Sequence, residues 1–214
     1  MVIDFTSPSQ LRQFELSFGD DHRKLYVNQH YLAELSPYFL ALCFTPGFRE
    51  TCEGKVNLPD VYFEDMEVLL NHICPGDTFR LESRICVDNF AILTRLSERL
   101  MLTNLRCELE NRLNSDSAAE ACIDGTCGTT AQLMEILIET MAAYFNEEAV
   151  MSVCKILAKK DLAEVTELMN TLQGEYGNII RQKLTPLLQF YHMPKPCKRF
   201  RRGGFETIHK RLFF

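Results

Sequence analysis

The sequence contains no apolar run of the length that a membrane helix needs. Its best stretch, Ala131 to Phe145, is interrupted by Glu135 and Glu139, whereas a span requires roughly 18 uninterrupted apolar residues. The amino terminus, Met-Val-Ile-Asp-Phe, has neither a basic region nor a long apolar stretch, so secretion is not indicated. We therefore expect a protein of the cytoplasm, the nucleus or both, without a membrane partner.

Signatures of catalysis and of cofactor binding are also missing. The chain has no Gly-x-Gly-x-x-Gly, no Gly-Lys-Ser/Thr loop, no Gly-x-Ser-x-Gly and no His-Glu-x-x-His. Cys127 lies in a predicted loop beside Gly128, but nothing supplies this thiol with a base or an oxyanion group. A hydrolase using Cys127 is thus a remote alternative, and we expect a non-enzymatic protein with no cofactor.

The nine cysteines form neither a disulfide framework nor a metal-binding motif. They are odd in number, scattered, and mostly placed among apolar residues, which is typical of reduced core thiols. Cys122-x4-Cys127 and His192-x4-Cys197 have tolerable zinc spacing, but the two pairs lie far apart and neither has the tight two-residue knuckle. The sequence therefore predicts free thiols and no metal site.

The composition indicates a globular chain with an uneven charge distribution. At 46% hydrophobic and 24% charged residues, the 214-residue chain has enough apolar material for a core. The net charge of −6 divides into +6 for residues 195–214 and −12 for the rest. An acidic body argues against nucleic-acid binding except through the tail.

The carboxy-terminal tail, residues 195–214, combines a basic cluster with an apolar end. The cluster, Lys198, Arg199, Arg201 and Arg202, has an aromatic residue inside it and is open to three interpretations: a nucleic-acid or anionic-lipid contact, a nuclear-import address, or a solvated end. The apolar residues beyond it predict docking on the body or on a partner, because exposing them invites association; they are Phe205, Ile208, Leu212, Phe213 and Phe214.

Hydrophobic periodicity predicts strands and short helices up to about Leu58. A β-hairpin is predicted for residues 14–27. Apolar residues alternate with polar ones at 14, 16 and 18, turn residues follow at 19–21, and a second strand is predicted at 24–27. Asn28 and Ser36 are predicted helix caps, with Pro37 at the first helical position. A further strand is predicted at residues 56–58.

The remainder is predicted to be mainly helical. Residues 63–113 carry helical stripes, with an edge strand at 81–87 and a cap at Asp88. Residues 114–130, rich in Ser, Gly and Thr, predict a linker. Residues 131–194 predict a helical extension packed on the first domain, with a kink or restart at Thr185-Pro186. The predicted fold class is α+β, a small sheet flanked by helices and then an all-helical extension.

The order of several short motifs closely resembles the BTB/POZ domain over residues 11–113. These are Leu25-Tyr26-Val27-Asn28, Tyr31-Leu32, Ser36-Pro37-Tyr38-Phe39, Phe48-Arg49-Glu50, Val56-Asn57-Leu58-Pro59-Asp60-Val61, and Leu69-Leu70 with Ile73-Cys74-Pro75. The likeness is greatest to the MATH–BTB proteins of nematodes. Residues 1–10 then resemble the end of a linker after a MATH domain that the sequence lacks.

The resemblance implies a protein–protein interaction module, which in many family members is the adaptor that docks on the cullin scaffold of a RING-type ubiquitin ligase and recruits a protein target. Phe48 and Glu50 match the docking motif of those adaptors, an apolar residue and then Glu two positions later. Tyr38 and Leu42 are the further predicted docking residues. The alternative interpretation is a nuclear assembly or transcription-associated module whose basic tail contacts nucleic acid.

The resemblance also implies a homodimer. Ten preceding residues leave no room for the amino-terminal helix that builds much of the family's dimer interface. Met1 to Phe5 could at most provide an exchanged strand, with Ile3 and Phe5 on one of its faces. These two residues are therefore the predicted dimerisation site.

Overall fold

The computed structural model describes residues 3–74, 85–123 and 128–193, and these form a mixed α+β fold. Three strands make one sheet, β1 (Phe14–Phe18), β2 (Asp21–Val27) and β3 (Lys55–Asn57). The helices of the described ranges are α1 (Gln29–Leu35), α2 (Pro37–Phe44), α3 (Arg49–Glu53), α4 (Phe63–Ile73), α5 (Val87–Arg99), α6 (Thr103–Leu113), α7 (Asp116–Ile123), α8 (Thr130–Ala142), α9 (Glu147–Leu157), α10 (Leu162–Thr171) and α11 (Gly174–His192). The predicted fold class, a small sheet with helices followed by an all-helical region, is confirmed.

The sheet has the order β2-β1-β3, with β1 antiparallel to β2 and parallel to β3. Phe14, Leu16 and Phe18 face the core, as their alternation with polar residues predicts. Gly19 takes a positive φ of 52° in the turn to β2, a conformation that costs glycine little. Placing β1 in the centre brings β3, and with it the preceding helix α3, beside the hairpin.

Two capping residues fix the positions of α1 and α2. The Asn28 side chain accepts hydrogen bonds from the amides of His30 and Tyr31, which starts α1. The buried Ser36 hydroxyl accepts from the Phe39 amide at 3.2 Å and donates to the Leu100 carbonyl at 2.6 Å. Ser36 therefore starts α2 and also joins it to the end of α5.

The start of α5 differs from the sequence prediction. Its N-cap residue is Cys86, whose amide donates to Asn89 Oδ1 at 2.9 Å, and not Asp88. Asp88 instead accepts a hydrogen bond from Gln132 Nε2 at 2.9 Å, which connects α5 to α8. Ile85 and Cys86 are not in a strand, so the predicted edge strand is wrong there, while residues 81–84 lie outside the described ranges.

The predicted linker, residues 114–130, contains a helix. Ala119 and Ile123 of α7 are fully buried, and Lys155 of α9 pairs with Asp116 at 2.8 Å. The composition of this segment is typical of a loop. Its few apolar residues at helical spacing nevertheless suffice to pack one short helix against the core. Residues 124–127 lie outside the described ranges.

The helical extension packs directly on the first half of the chain. The Arg95 guanidinium on α5 contacts Asp65 of α4 at 2.7 Å and Glu139 of α8 at 2.9 Å. Arg106 Nη2 on α6 donates to the Ala143 carbonyl at 2.7 Å, at the end of α8. Buried apolar residues from the sheet to α11 form one continuous cluster. The extension is thus part of the same packed body.

The last helix runs through its proline. α11 continues from Gly174 to His192 with Pro186 in its interior, so it does not restart at Thr185-Pro186. The Thr185 hydroxyl donates to the Arg181 carbonyl at 2.7 Å. Packing of Ile180, Leu184 and Leu188 on both sides of the proline holds the helix together.

The described residues contain neither a candidate membrane helix nor a candidate metal cluster. No helix there combines the length and the apolar character that crossing a membrane requires. Within the same ranges, no group of three or more His, Cys, Asp and Glu side chains could hold a metal ion.

Candidate protein-interaction site

The predicted docking residue Phe48 stands at the junction between α2 and α3. It is the N-cap residue of α3 and has extended backbone angles, φ −78° and ψ 137°. Its amide donates to the Thr45 carbonyl at 3.4 Å, and the Thr51 hydroxyl donates to the Leu42 carbonyl at 2.9 Å. Gly54 ends α3 with a positive φ of 66°. The short helix is therefore held to α2 at one end and to β3 at the other.

The two parts of the predicted docking motif differ in exposure. Phe48 is 44% exposed, whereas Glu50 is half-buried. Among the described residues, no hydrogen bond or ion pair engages the Glu50 carboxylate, because Arg49 pairs instead with Glu53 at 3.5 Å and Lys55 pairs with Glu53 at 3.1 Å. Within the described ranges, therefore, nothing encloses the ring and no cation neutralises the acid.

Tyr38 and Leu42 lie one turn apart on α2 and are only half-exposed, packed against the core. The Arg99 guanidinium lies 5.2 Å from the centroid of the Tyr38 ring and donates to Asp60 at 3.0 Å. This hydrogen bond holds the pKa of the Asp60 carboxyl below its usual range. Tyr38 and Leu42 are therefore partly buried in the core and only partly accessible, and their docking role stays a prediction.

Sequence reasoning missed two accessible apolar residues on the same helix. Leu40 is 53% exposed, and Phe44, also exposed, contacts the His30 ring with centroids 5.0 Å apart. The helix is apolar on all sides, so periodicity cannot distinguish its outer face from the buried face of Phe39 and Cys43. The sequence did contain one indication of an exposed apolar face: α2 is apolar on all sides but is too short to be buried on all of them. We call Leu40, Phe44, Phe48 and Glu50 the α2–α3 surface.

The predicted dimerisation residues lie against their own chain. Phe5 is 3% exposed, and its carbonyl accepts from the Tyr26 amide of β2 at 2.7 Å. Ile3 is half-buried against the core, and the Arg12 guanidinium lies 5.7 Å from the Phe5 ring centroid. The segment thus lies on the β2 edge of its own sheet, and an exchanged strand would first have to leave this position. Dimerisation through Ile3 and Phe5 stays a prediction.

The described cysteines are free thiols in different settings. Burial raises the pKa of Cys43 to about 11 and that of Cys154 to about 12, which leaves these core thiols protonated. Cys52, Cys86 and Cys107 are exposed, contrary to the expectation that the cysteines lie mostly in the core. A single cysteine between polar neighbours belongs to no hydrophobic pattern, so its exposure could not be predicted from the sequence.

Several predicted residues lie outside the described ranges. These are Cys127, Cys197 and the basic cluster of Lys198, Arg199, Arg201 and Arg202. The nucleic-acid and import interpretations of the basic cluster therefore stay predictions, and the remote alternatives of a Cys127 nucleophile and a zinc pair are untested.

A model of the BTB/POZ domain family matches residues 7–117, more than half of the chain. The chain belongs to the BTB/POZ domain family. The matched range contains the predicted domain, residues 11–113. A search of curated proteins finds no match to this chain. The match does not distinguish branches of the family, so the likeness to nematode MATH–BTB proteins stays a prediction.

Membership of the family gives the chain a general role in protein–protein interaction. The BTB/POZ domain is a protein–protein interaction module, generally not catalytic, and in many proteins it mediates dimerisation and cullin binding. Within the described ranges of this BTB/POZ protein, the α2–α3 surface combines exposed apolar residues with a carboxylate that has no ion pair. Interaction surfaces commonly place an aromatic anchor within a polar rim.

Proposed function

We propose that this BTB/POZ protein is a non-enzymatic substrate adaptor of a cullin–RING ubiquitin ligase, acting in the cytoplasm or the nucleus. The observation that supports it best is the α2–α3 surface. Phe48 is accessible immediately before α3, and Glu50 in the first turn of that helix has no partner among the described residues. The cullin helix would receive the phenyl ring in an apolar pocket and hydrogen-bond the carboxylate.

The composition and the internal contacts of the α2–α3 surface support partner binding by a small patch. Leu40, Phe44 and Phe48 are all large apolar side chains, and burying exposed apolar area contributes about 25 cal/mol per Å². Thr51 fixes α3 on α2, so little backbone ordering is needed on binding. A fixed anchor with an accessible carboxylate gives both affinity and orientation.

The test compares cullin binding by two double variants of the full chain. Phe48→Ala with Glu50→Ala should weaken binding to the purified amino-terminal domain of a cullin by about 1–3 kcal/mol, or roughly 5- to 150-fold. Titration calorimetry measures the affinity, and circular dichroism confirms the fold of each variant.

The matched control is Phe190→Ala with Glu148→Ala, an exposed phenylalanine and an exposed glutamate on α11 and α9. It should leave the cullin affinity unchanged. Absence of binding by the unaltered chain, or equal affinity of both double variants, would contradict the adaptor function.

A substrate adaptor also needs a surface for the recruited protein. The helical extension, α8 to α11, carries accessible aromatic residues away from the α2–α3 surface, among them Tyr144, Tyr176 and Phe190. We assign target recruitment to this extension. Mass spectrometry of proteins that co-purify with the Phe48→Ala, Glu50→Ala variant should retain the target and lose the cullin.

A further inference from the structure

An apolar groove of about 440 Å³ separates α10 from α11. Its floor is formed by the buried side chains of Met169 and Leu188. Its rim carries Leu162, 42% exposed, and Met193, 61% exposed. A volume of this size is typical of sites that hold a compact apolar group.

The groove follows from the spacing of residues on two helices that run side by side. On α10 the lining residues recur at helical intervals from Leu162 through Thr166 to Met169. The His192 ring on α11 contacts the Ala158 carbonyl at 3.0 Å, which brings the end of α11 beside the start of α10. The chain therefore leaves α11 at one end of the groove.

The α10 side of the groove is acidic. Asp161 caps α10 at its start. Glu167 lies on the neighbouring face of α10, next to Leu162 and Thr166, which also line the groove. Within the described ranges the Glu167 carboxylate has no hydrogen bond or ion pair. A segment that binds here should thus combine apolar side chains with positive charge.

We propose that residues 195–214 of this same chain dock in the groove between α10 and α11. This segment carries a charge of +6 and five large apolar residues from Phe205 onward. It begins two positions after Met193, which itself lines the groove. No other segment of the sequence combines this charge with so many apolar residues outside the described fold.

The length of the segment suits intramolecular docking. Residues 194–204 can reach at most about 36 Å when extended, whereas α10 is only about 15 Å long. Pro194 prevents α11 from continuing, and Met193 has extended backbone angles that turn the chain out of the helix. A connection of so few residues gives an effective concentration of about millimolar, so a weak intrinsic contact is sufficient.

The absence of tryptophan from the chain provides a direct test. Phe213→Trp in the full chain places one indole in the apolar segment. Docking predicts a blue-shifted emission that acrylamide quenches poorly, independent of protein concentration. Gln189→Arg, a cation placed in the groove, should shift the emission toward that of the unfolded chain, while Gln182→Arg, on α11 outside the lining, should not.

Three results would overturn the proposal. If the Phe213→Trp variant, with its groove unaltered, shows the emission of a solvent-exposed indole, the segment does not dock. A blue shift that grows with protein concentration would assign the contact to a second copy. A blue shift that Gln189→Arg leaves unchanged would place the segment elsewhere on the body. Circular dichroism of each variant ensures that the comparison is made on folded protein.

Discussion

At the scale of single residues, Phe48 is accessible because of where it stands relative to a helix. As the residue before α3 it has extended backbone angles and belongs to no buried helical stripe. Arg49 and Lys55 both engage Glu53, which leaves Glu50 available. Helical periodicity identifies neither property. The family resemblance singled out the two residues, and the structure supplies the physical reason for their accessibility.

Ser36 is a small residue, but replacing it should lower the stability of the fold measurably. Ser36→Ala removes the cap of the Phe39 amide and the hydrogen bond to Leu100, both in a buried setting. We expect the free energy of unfolding to fall by about 1–3 kcal/mol. Urea denaturation followed by circular dichroism measures this. Ser117→Ala, at an exposed position of α7, should change it by less than about 0.5 kcal/mol.

At the scale of elements, Arg95 connects three helices. Its side chain is about one-third exposed, whereas Asp65 and Glu139 are much less so, and both carboxylates depend on this one cation. We expect Arg95→Met to lower the free energy of unfolding by about 2 kcal/mol. This is more than the loss of an exposed ion pair costs and less than the loss of one partner of a fully buried pair.

Arg49→Met serves as the control for Arg95→Met. It removes an exposed pair within one helix and should cost less than about 0.5 kcal/mol. Equal effects in urea denaturation would show that the Arg95 network does not hold α4, α5 and α8 together.

The elements that sequence predicts best are those with strong local signals. Asn28 and Ser36 start helices as their side chains indicate, and the alternation of residues 14–18 predicts β1. These signals depend on neighbours in the chain. They locate an element without reference to the rest of the fold.

The elements that sequence misses depend on distant contacts. α7 forms because Ala119 and Ile123 find a buried place on the core, although the surrounding composition is typical of a loop. Asp88 hydrogen-bonds to Gln132 across the interface with α8 in place of capping its own helix. The exposure of Leu40 and Phe44 likewise follows from what packs on the other side of α2, which the helix itself does not encode.

At the scale of the whole molecule, the BTB/POZ domain and its helical extension share one core. Leu137 of α8 is fully buried, and α8 packs closely on α5. We expect Leu137→Ala to lower the free energy of unfolding by about 2–5 kcal/mol and to destabilise both halves together.

Two optical probes would follow the unfolding of the Leu137→Ala variant, near-ultraviolet absorbance of tyrosine and far-ultraviolet circular dichroism. A shared core predicts coincident transitions at a lower midpoint than in the unaltered chain. Separate transitions, with only one of them displaced, would show two independently folding units.

The most direct measurement of the central claim is a hydrogen-exchange map of the full chain with and without the cullin amino-terminal domain. Docking through the α2–α3 surface predicts slower exchange in residues 45–53, including the amides that follow Phe48, and no change in α10 and α11. The Phe48→Ala, Glu50→Ala variant should lose this protection. Protection confined to other elements, or binding without any protection in residues 45–53, would contradict the claim.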